Sequence, residues 1–437
     1  MTTRLLIFLF PLILAAQTTG VLNLYPPNTA AEQTELNQAI TEANGSPVDL
    51  TRALEQHLRK YPNSARRSDI EASLYKTAVE GNDTARIVLY GEKLLAGKPE
   101  NELQMLERVI RALLVSDDKA SATRAMPWIK RYVAGVLDLR AKPPEGHTTA
   151  AQWADLSDRA FASASVLEAR ANGYLGNTEQ AADGASRAWL LLPNAESAHE
   201  IATWLVKLGR DAEAIDHLAD AVMIDDPRSP WSDRERDRKL ATSLYVKLHG
   251  SEQGLGDVFL TAWNRCGQAV QDRTARYQTM DHNYGLTSMY DFTLPGSGLT
   301  MSGPTVSDKA PLEMAKLKGK TVIMDFWATW CIPCLAQHPL IEHVKQRYAQ
   351  AADVVFLSVN ADDDHSLVAP FLKTQKWDQR VYLEAGLAGL LNVSSLPTIL
   401  IMDPYGKLYS RMMGFSTDVF ERMLTTRIDE ARSVLPK

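Results

Sequence analysis

The chain has 437 residues, 45% of them hydrophobic, which is more than one ordinary domain needs to bury a core. Its 47 basic and 53 acidic residues give a formal net charge of -6. Because the chain has no long basic run to contact a phosphate backbone, nucleic-acid binding is not predicted. The three cysteines are too few for a disulfide framework, so packing must stabilise the fold.

The first twenty residues, MTTRLLIFLFPLILAAQTTG, have the layout of a secretory signal peptide. Basic Arg4 precedes an apolar run from Leu5 to Ala16, and small and polar residues follow. That run is interrupted by Pro11 and is shorter than the roughly 20 apolar residues that a membrane-spanning helix needs. We therefore expect residues 1–20 to be cleaved, not to form an anchor or a buried helix. The protein is expected to work outside the cytoplasm, in a bacterial periplasm or another extracytoplasmic compartment.

Residues 21–270 are predicted to be helical, because apolar residues recur at spacings of three and four between breaks at glycine, proline and asparagine. Two segments of this region align with a constant offset. The aligned pairs are Leu175 with Leu208, Gly176 with Gly209, Ala181 with Ala214, and Ala188 with Ala221. The pattern resembles the tetratricopeptide repeat, in which glycine turns the chain between paired helices and small residues let those helices approach closely.

Repeats of this kind imply a role in binding, because stacked repeats commonly hold a peptide or a protein on their concave face. We expect a partner protein to dock on this region, although a helical spacer fits the same pattern. No individual binding residue is nominated. The single cysteine of the region, Cys266, is interpreted as a buried small hydrophobic residue and not as a third redox thiol.

The composition changes after Val270. The stretch that begins there is rich in Thr, Ser, Gly and Pro without a helical period, so residues 271–288 are predicted to be a linker. Residues 289–437 alternate between strand and helix patterns. The predicted strands include KTVIMDFWA, VVFLSVN, and the hairpin of PTILIMD and KLYSRMMG. This order predicts a βαβ unit joined to a ββα unit, with a C-x-x-C pair at the end of the first strand.

From about Tyr290 onward the chain resembles the thioredoxin fold. The motifs that carry the resemblance are DFW at 325–327, WCIPC at 330–334, Pro339, and LPT at 396–398. Within that fold, GKTVIMDFWATWC is similar to the exported reductases of the TlpA and ResA type. No second C-x-x-C or histidine pair is present to complete a metal site, so neither a metal nor another cofactor is predicted. A structural staple is disfavoured, because a two-residue loop constrains little chain entropy.

The resemblance implies roles for three residues. Cys331, at the start of a helix, would be the attacking thiolate, because free N–H groups and the helix dipole lower a thiol pKa there. Cys334, deeper and more buried, would resolve the mixed disulfide, so that Cys331 and Cys334 form a redox-active disulfide. Asp325 would take the position of the buried carboxylate of thioredoxin and act as a base, with a capping or salt-bridged aspartate as the alternative.

Two positions depart from the TlpA and ResA pattern. Those reductases usually have an amide where Asp325 stands, and a glutamate where this chain has Gln337. The carboxylate has in effect changed places, so no proton route is carried over from those reductases.

Trp330, Leu396 and Pro397 are the candidate substrate-binding residues. The resemblance implies that Pro397 is cis and lies against the cysteine pair, where backbone groups can bind an extended chain, whereas a trans surface proline is the alternative. His338 is expected to face solvent or to pack, and not to shuttle protons. The run ADDDHS at 361–366 is interpreted as a solvated helix cap and not as a metal site.

The sequence thus predicts a multidomain chain with an all-α helical-repeat (tetratricopeptide-like) N-terminal region and an α/β thioredoxin-fold C-terminal domain at 289–437. The predicted function is that of a thiol-disulfide oxidoreductase that reduces exported proteins. Its partners would be protein disulfides or dithiols and a membrane electron donor. Two alternatives stay open: a protein-binding scaffold with minor redox activity, and a thiol-dependent peroxide reductase.

Overall fold

The computed structural model describes residues 30–142, 148–297, 310–377, 379–414 and 417–434. The predicted signal peptide at residues 1–20 lies outside them. The chain divides into two units, one of residues up to 136 with 164–185 and 207–209, the other of 137–163, 186–206 and 210 onward. Within the described ranges, no helix combines the length and the apolar character needed to cross a membrane.

The region predicted to be helical is helical wherever the structure describes it, apart from short connections. Its helices are α1 (Ala30–Glu42), α2 (Pro47–Lys60), α3 (Arg67–Glu80), α4 (Thr84–Leu95), α5 (Glu102–Leu114), α6 (Lys119–Ala141), α7 (Ala150–Tyr174), α8 (Thr178–Leu191), α9 (Ala195–Lys207), α10 (Asp211–Met223), α11 (Trp231–His249) and α12 (Leu255–Gln278). Ser46 and Asp83 begin α2 and α4 as N-caps, because each side chain accepts a backbone N–H from three residues later. The helical prediction is confirmed, and the assignment to tetratricopeptide repeats stays a prediction.

The aligned glycines and alanines occupy special positions. Gly176 lies between α7 and α8 with φ +97°, and Gly209 lies between α9 and α10 with φ +76°, a backbone conformation that favours glycine. The four aligned alanines are almost fully buried: Ala181, Ala188, Ala214 and Ala221. Glycine turns and buried small residues are what the repeat pattern predicts for paired helices.

The predicted linker at 271–288 begins too early. Helix α12 continues to Gln278, so its last residues fall inside the predicted linker. Tyr277 is fully buried and its hydroxyl donates to Asp158 at 2.8 Å, while the guanidinium of Arg276 donates to the same carboxylate at 2.9 Å. These tertiary contacts stabilise a helix end that shows no apolar period in the sequence.

Asn283 holds the segment that follows α12. Its side-chain amide donates to the carbonyl oxygens of Thr293, at 3.0 Å, and Ala385, at 3.1 Å. Its oxygen accepts the N–H of Thr293 at 2.9 Å. The side chain is buried, so these three hydrogen bonds are shielded from water and fix the segment to the sheet domain.

The C-terminal domain contains a five-stranded sheet in the order β5-β4-β3-β6-β7. Its strands are β3 (Thr321–Trp327), β4 (Val354–Asn360), β5 (Val381–Leu383), β6 (Thr398–Met402) and β7 (Leu408–Met413). A separate pair consists of β1 (Thr293–Leu294) and β2 (Leu312–Glu313). The helices are α13 (Ile332–Arg347), α14 (Val368–Gln375), α15 (Leu387–Leu390) and α16 (Phe420–Arg432). Strand β4 pairs in parallel with both β3 and β5. Strand β6 pairs antiparallel with β3, and β7 pairs antiparallel with β6, which confirms the predicted arrangement. Strands β1, β2 and β5 were not predicted.

Strand β3 is buried along its whole length and packs on both faces. Val322, Met324 and Phe326 belong to one hydrophobic cluster, which includes residues of β1, β4, α15 and β6. Ile323 packs on the opposite face with α13 and α16. Because side chains alternate along a strand, Asp325 lies on the face with Ile323, towards α13.

We predict that Gly406→Ala destabilises the sheet domain more than Gly319→Ala does. Both glycines have positive φ, +76° and +81°, so an alanine at either costs roughly 1–2 kcal/mol in backbone conformation. At Gly406 a Cβ would also lie 2.3 Å from the ring of Tyr290, whereas at Gly319 no described atom comes within 4 Å. Overpacking of this kind adds about 1–3 kcal/mol.

Calorimetry of both full-length variants measures the difference in melting temperature. An equal decrease in the two variants would contradict the clash with Tyr290, because they share the conformational cost and differ in the contact.

Candidate active site

A disulfide bond joins Cys331 and Cys334, just after the turn that follows β3. Their Cα atoms are 5.3 Å apart. Cys331 is the N-cap residue of α13, and its sulfur accepts a hydrogen bond from the N–H of Cys334 at 3.3 Å. The pair therefore lies where the positive end of the helix dipole favours an anion.

The two cysteines are equally buried, which corrects the expectation that Cys334 is the more buried of the pair. Cys331 is 3% exposed and Cys334 is 4% exposed, and both belong to one apolar cluster. The adjacent Trp330 and Ile332 are 64% and 77% exposed. The two cysteines therefore differ in the N–H group that donates to the Cys331 sulfur and not in residue exposure.

Aromatic side chains surround the cysteine pair. Trp327, Phe371 and Trp377 belong to the same cluster as the two cysteines, with ring centroids 5.3–5.6 Å apart. The indole N–H of Trp327 donates to the hydroxyl of Ser358 at 2.7 Å, so its polar atom is satisfied although the ring is buried. The cluster excludes water from one side of the disulfide.

Asp325 lies beneath α13, between the disulfide and the main core. Two residues after it on the same face of β3, Trp327 clusters with Cys334 near the start of α13. Two residues before it, Ile323 clusters with Ile341 further along the helix. Asp325 is between them on the same strand face and is only 9% exposed. Its carboxyl group therefore faces the part of α13 that follows Cys334.

Burial determines the protonation of Asp325. It raises the pKa of this carboxyl to about 7, with a further upward contribution from Glu342 that Lys345 partly offsets. Oxygen Oδ1 has no hydrogen-bond partner among the described residues. Asp325 is thus a buried carboxyl, and neither a cap nor an ion pair accounts for its position.

The residues of α13 that face the sheet here are Gln337 and His338. Gln337 is 1% exposed, and within the described ranges neither polar atom of its side chain has a hydrogen-bond partner. His338 stacks on Trp377 at a centroid distance of 3.6 Å, and burial lowers its pKa to about 4. His338 therefore packs as a neutral ring, which is one of the two outcomes expected from the sequence.

The candidate substrate-binding residues lie at the same end of the sheet. The peptide bond between Leu396 and Pro397 is cis, as the resemblance implies. Leu396 is partly buried against the cluster that contains the cysteines. The carbonyl oxygen of Pro397 accepts the N–H of Gly414 at 3.0 Å, which links it to the end of β7. Exposed Trp330 adjoins Cys331 in sequence.

Asp362 has a structural role that sequence reasoning missed. In the run ADDDHS, Asp364 does cap a short 3-10 helix at His365–Leu367, but Asp362 is 3% exposed and not solvated. Its carboxylate accepts hydrogen bonds from Thr329 and Asn360. The available signal was its position just after a buried strand, at the sheet edge that carries the cysteines.

Cys266 is buried, as predicted, at 3% exposure. Its sulfur lies 3.5 Å from Oδ1 of Asp220. Burial is the larger cause and the negative charge of this carboxylate the smaller one, and together they raise the pKa of the thiol to about 12. The thiol is thus protonated at neutral pH and a poor nucleophile. Within the described residues, no group of three or more His, Cys, Asp or Glu side chains is arranged to hold a metal ion.

A family model described as thioredoxin-like matches residues 319–408. The chain is 33% identical over 129 residues to the thioredoxin-like protein YneN of Bacillus subtilis, covering 29% of this chain and 70% of that protein. It is 31% identical over 108 residues to the thiol-disulfide oxidoreductase ResA of Bacillus cereus, covering 24% of this chain. The chain spans 62% of the length of that relative. A crystal structure of a thiol:disulfide interchange protein from Chlorobium tepidum is also similar, with 25% identity, coverage of 31% of this chain and 93% of that chain, and a TM-score of 0.25.

We predict that Asp325→Asn stabilises the protein at pH 8 more than at pH 4. The native pKa of about 7 lies above the ordinary value of 3.8, so the folded chain binds this proton more tightly than the unfolded chain does. The stability that the protonated carboxyl contributes is therefore present below pH 4 and is lost as the pH rises to about 7. The difference corresponds to roughly 4 kcal/mol at most, and asparagine does not titrate.

His338 has the opposite sign, because its lowered pKa makes stability rise with pH between about 4 and 6.5. The comparison of variant with wild type isolates Asp325 from this effect. Calorimetry of the full chain at both pH values is the measurement, with exposed Asp418→Asn as the matched control. If Asp325→Asn changed the melting temperature by the same amount at both pH values, the titration of a buried Asp325 carboxyl would be contradicted.

Proposed function

This chain belongs to the thioredoxin-like family, and from that premise we propose that it is an exported thiol-disulfide oxidoreductase that reduces disulfides of other extracytoplasmic proteins. The observation that carries the proposal is the Cys331–Cys334 disulfide at the N-terminus of α13, with the Cys331 sulfur accepting a helix N–H. Export is supported by the signal-peptide pattern of residues 1–20.

The reaction transfers two electrons from the dithiol form to a partner. The thiolate of Cys331 attacks one sulfur of the partner's disulfide, so the partner's S–S bond breaks, a mixed disulfide forms, and one partner thiolate leaves. The thiolate of Cys334 then attacks the Cys331 sulfur, which releases the second partner thiolate and forms the Cys331–Cys334 disulfide. The role of Cys331 as the attacking group is supported by its N–H donor and by the helix dipole, which stabilise its thiolate.

Asp325 is proposed as the base that accepts the proton of Cys334 before this second step. The proposal is supported by its place beneath α13 and by a pKa of about 7, which suits proton exchange near neutral pH. Trp330, Leu396 and Pro397 are proposed to contact the substrate. Their support is the cis peptide bond, the packing of Leu396 beside the disulfide, and the exposure of Trp330.

The helical region is proposed to dock a partner protein. This is supported by the left-handed glycine turns and buried alanines of its aligned segments, which fit repeats that bind protein ligands. Because an oxidising compartment would hold the pair as a disulfide, the reductase also requires a membrane electron donor to restore the dithiol. The chemistry of the site calls for no cofactor.

We predict that Cys331→Ser abolishes insulin-disulfide reduction by the full-length protein, because the attacking sulfur is lost. Cys334→Ser is expected to retain attack and to accumulate mixed disulfides, visible on non-reducing gels and by mass spectrometry. Cys266→Ala, which changes the buried thiol outside the site, is the control that should keep wild-type turnover. Wild-type protein that leaves insulin intact would instead favour a scaffold with a silent thioredoxin-like domain.

We predict a reducing couple, so that the pair is a disulfide in a mildly oxidising glutathione buffer. Stabilising the Cys331 thiolate would make the protein an oxidant, but Ile332 and Pro333 between the cysteines carry no charge. An ionised Asp325 would further disfavour a second anion nearby. Equilibration against defined ratios of reduced and oxidised glutathione measures the potential. A pair that stays reduced in that buffer would point to disulfide formation as the role.

A further inference from the structure

The carboxylate of Asp362 has a hydrogen-bond donor on each of its oxygens. Oδ2 accepts the backbone N–H of Thr329 at 2.8 Å and the side-chain N–H of Asn360 at 2.7 Å. Oδ1 accepts the hydroxyl of Thr329 at 2.7 Å. The backbone N–H of Asp362 in turn donates to the side-chain oxygen of Asn360 at 3.1 Å. At 3% exposure these bonds are shielded from water, and bonds to a charged acceptor are among the stronger ones in proteins.

These bonds extend strand pairing beyond the end of the sheet. The parallel ladder of β3 and β4 ends with Trp327 opposite Asn360, and the N–H of Ala361 then donates to the carbonyl oxygen of Trp327 at 2.8 Å. Asp362 is the next residue along, and it holds Thr329 in the turn between β3 and Cys331. The last residue of that turn is Trp330, which is 64% exposed.

Cys331 has a second source of order that Trp330 lacks. As the N-cap of α13 it is held by hydrogen bonds from the N–H groups of Cys334 and Leu335 to its carbonyl oxygen, at 3.0 and 3.3 Å. Loss of the Asp362 contacts would therefore loosen Trp330 much more than it would displace the Cys331 sulfur.

We propose that Asp362 is a positioning residue for substrate binding: it fixes Thr329 and so holds the exposed ring of Trp330 beside Cys331, where an incoming protein disulfide makes contact. This inference rests on the proposed function, because it assigns Trp330 a substrate. Asp362 acts through geometry and does not touch the reacting sulfurs.

The test compares four full-length variants. Asp362→Ala removes all three bonds, and Thr329→Val removes only the one from its hydroxyl. Asp362→Asn keeps the shape and can form the same three contacts, with its oxygen towards the Thr329 N–H and its amide donating to the hydroxyl, but it removes the charge. Asp364→Ala is the matched control, because it deletes an exposed carboxylate of the same run that contacts Ser366 and not Thr329.

We expect Asp362→Ala to raise the KM for insulin by up to about tenfold, because a Trp330 side chain that is no longer held in place must be ordered, at a cost in free energy, when the substrate binds. Its kcat should change much less, and so should its rate with oxidised glutathione, which is too small to need Trp330. Thr329→Val should raise the KM less, by roughly threefold, because it removes one of the three hydrogen bonds to the Asp362 carboxylate and leaves the bond from the Thr329 N–H in place. Asp362→Asn should recover most of the loss, and the pH dependence of Cys331 alkylation by iodoacetamide should not move in any variant.

A readout that needs no activity follows the same residue directly. With 5-fluorotryptophan incorporated, the fluorine resonance of Trp330, assigned by its absence in Trp330→Phe, should shift and narrow in Asp362→Ala. It should stay at its wild-type position in Asp362→Asn and Asp364→Ala. Circular dichroism checks that each variant is folded. If Asp362→Ala does not fold, Thr329→Val still tests the proposal, because it removes one of the same hydrogen bonds.

Several results would overturn the proposal. An unchanged KM and an unchanged fluorine resonance in Asp362→Ala would do so, as would an Asp362→Asn variant as impaired as the alanine variant, because charge would then matter and not geometry. A changed Cys331 alkylation profile would mean that Asp362 acts on the sulfur itself. Wild-type protein that reduces neither insulin nor glutathione disulfide would remove the proposed function, while the fluorine spectra would still decide whether Asp362 orders Trp330.

Discussion

The central strand β3 is hydrogen-bonded along both edges, to β4 and to β6, and it is buried on both faces. A strand constrained on four sides ends at a fixed point, and the chain turns from that point into α13. The pairing of Phe326 with Thr398 brings Pro397, more than sixty residues later, to the same end of the sheet. Asp325 belongs to the same strand. The cysteine pair, the buried carboxyl and the cis-proline thus gather at one place because a single strand orders all three.

The two titratable side chains Asp325 and His338, between β3 and α13, are both mainly uncharged at weakly acidic pH, and burial is the cause in each case. Burial disfavours the charged form of any group, so it raises the pKa of the Asp325 carboxyl and lowers that of the His338 imidazole. Between about pH 4 and 7 both side chains are mainly neutral. The first charge to form at the disulfide on reduction is then that of a thiolate, in surroundings where the N–H groups of α13 are the nearest favourable partners. Packing by Trp327 and Trp377 maintains this low-dielectric setting.

Features that depend on local pattern could be predicted from the sequence, and features that depend on distant partners could not. The buried strand KTVIMDFWA and the helix after Cys331 followed from local pattern, and the cis-proline followed from the resemblance that the LPT motif carries. The end of α12 did not, since Tyr277 is helical there because of a hydrogen bond to Asp158, which is far away in sequence. Strand β5 is only three residues long, too short to show alternation. Asp362 looked like a solvated cap because its partner Thr329 lies across a strand pair. The equal burial of the two cysteines depends on side chains of β3, β5 and α14 that join their cluster and that the motif does not contain.

Asn283 has a consequence for how substrates would be chosen. A flexible tether lets a domain sample many orientations, so that encounter depends on tether length and on an effective concentration. Here the chain between α12 and β1 is fastened by three hydrogen bonds from one side chain, just after the buried ring of Tyr277. A partner bound to the helices that precede this segment would reach the cysteine pair from a narrower range of positions than a flexible tether allows. If the helical region docks a partner as proposed, selection would then depend on where a disulfide lies in the bound partner as well as on how reactive it is.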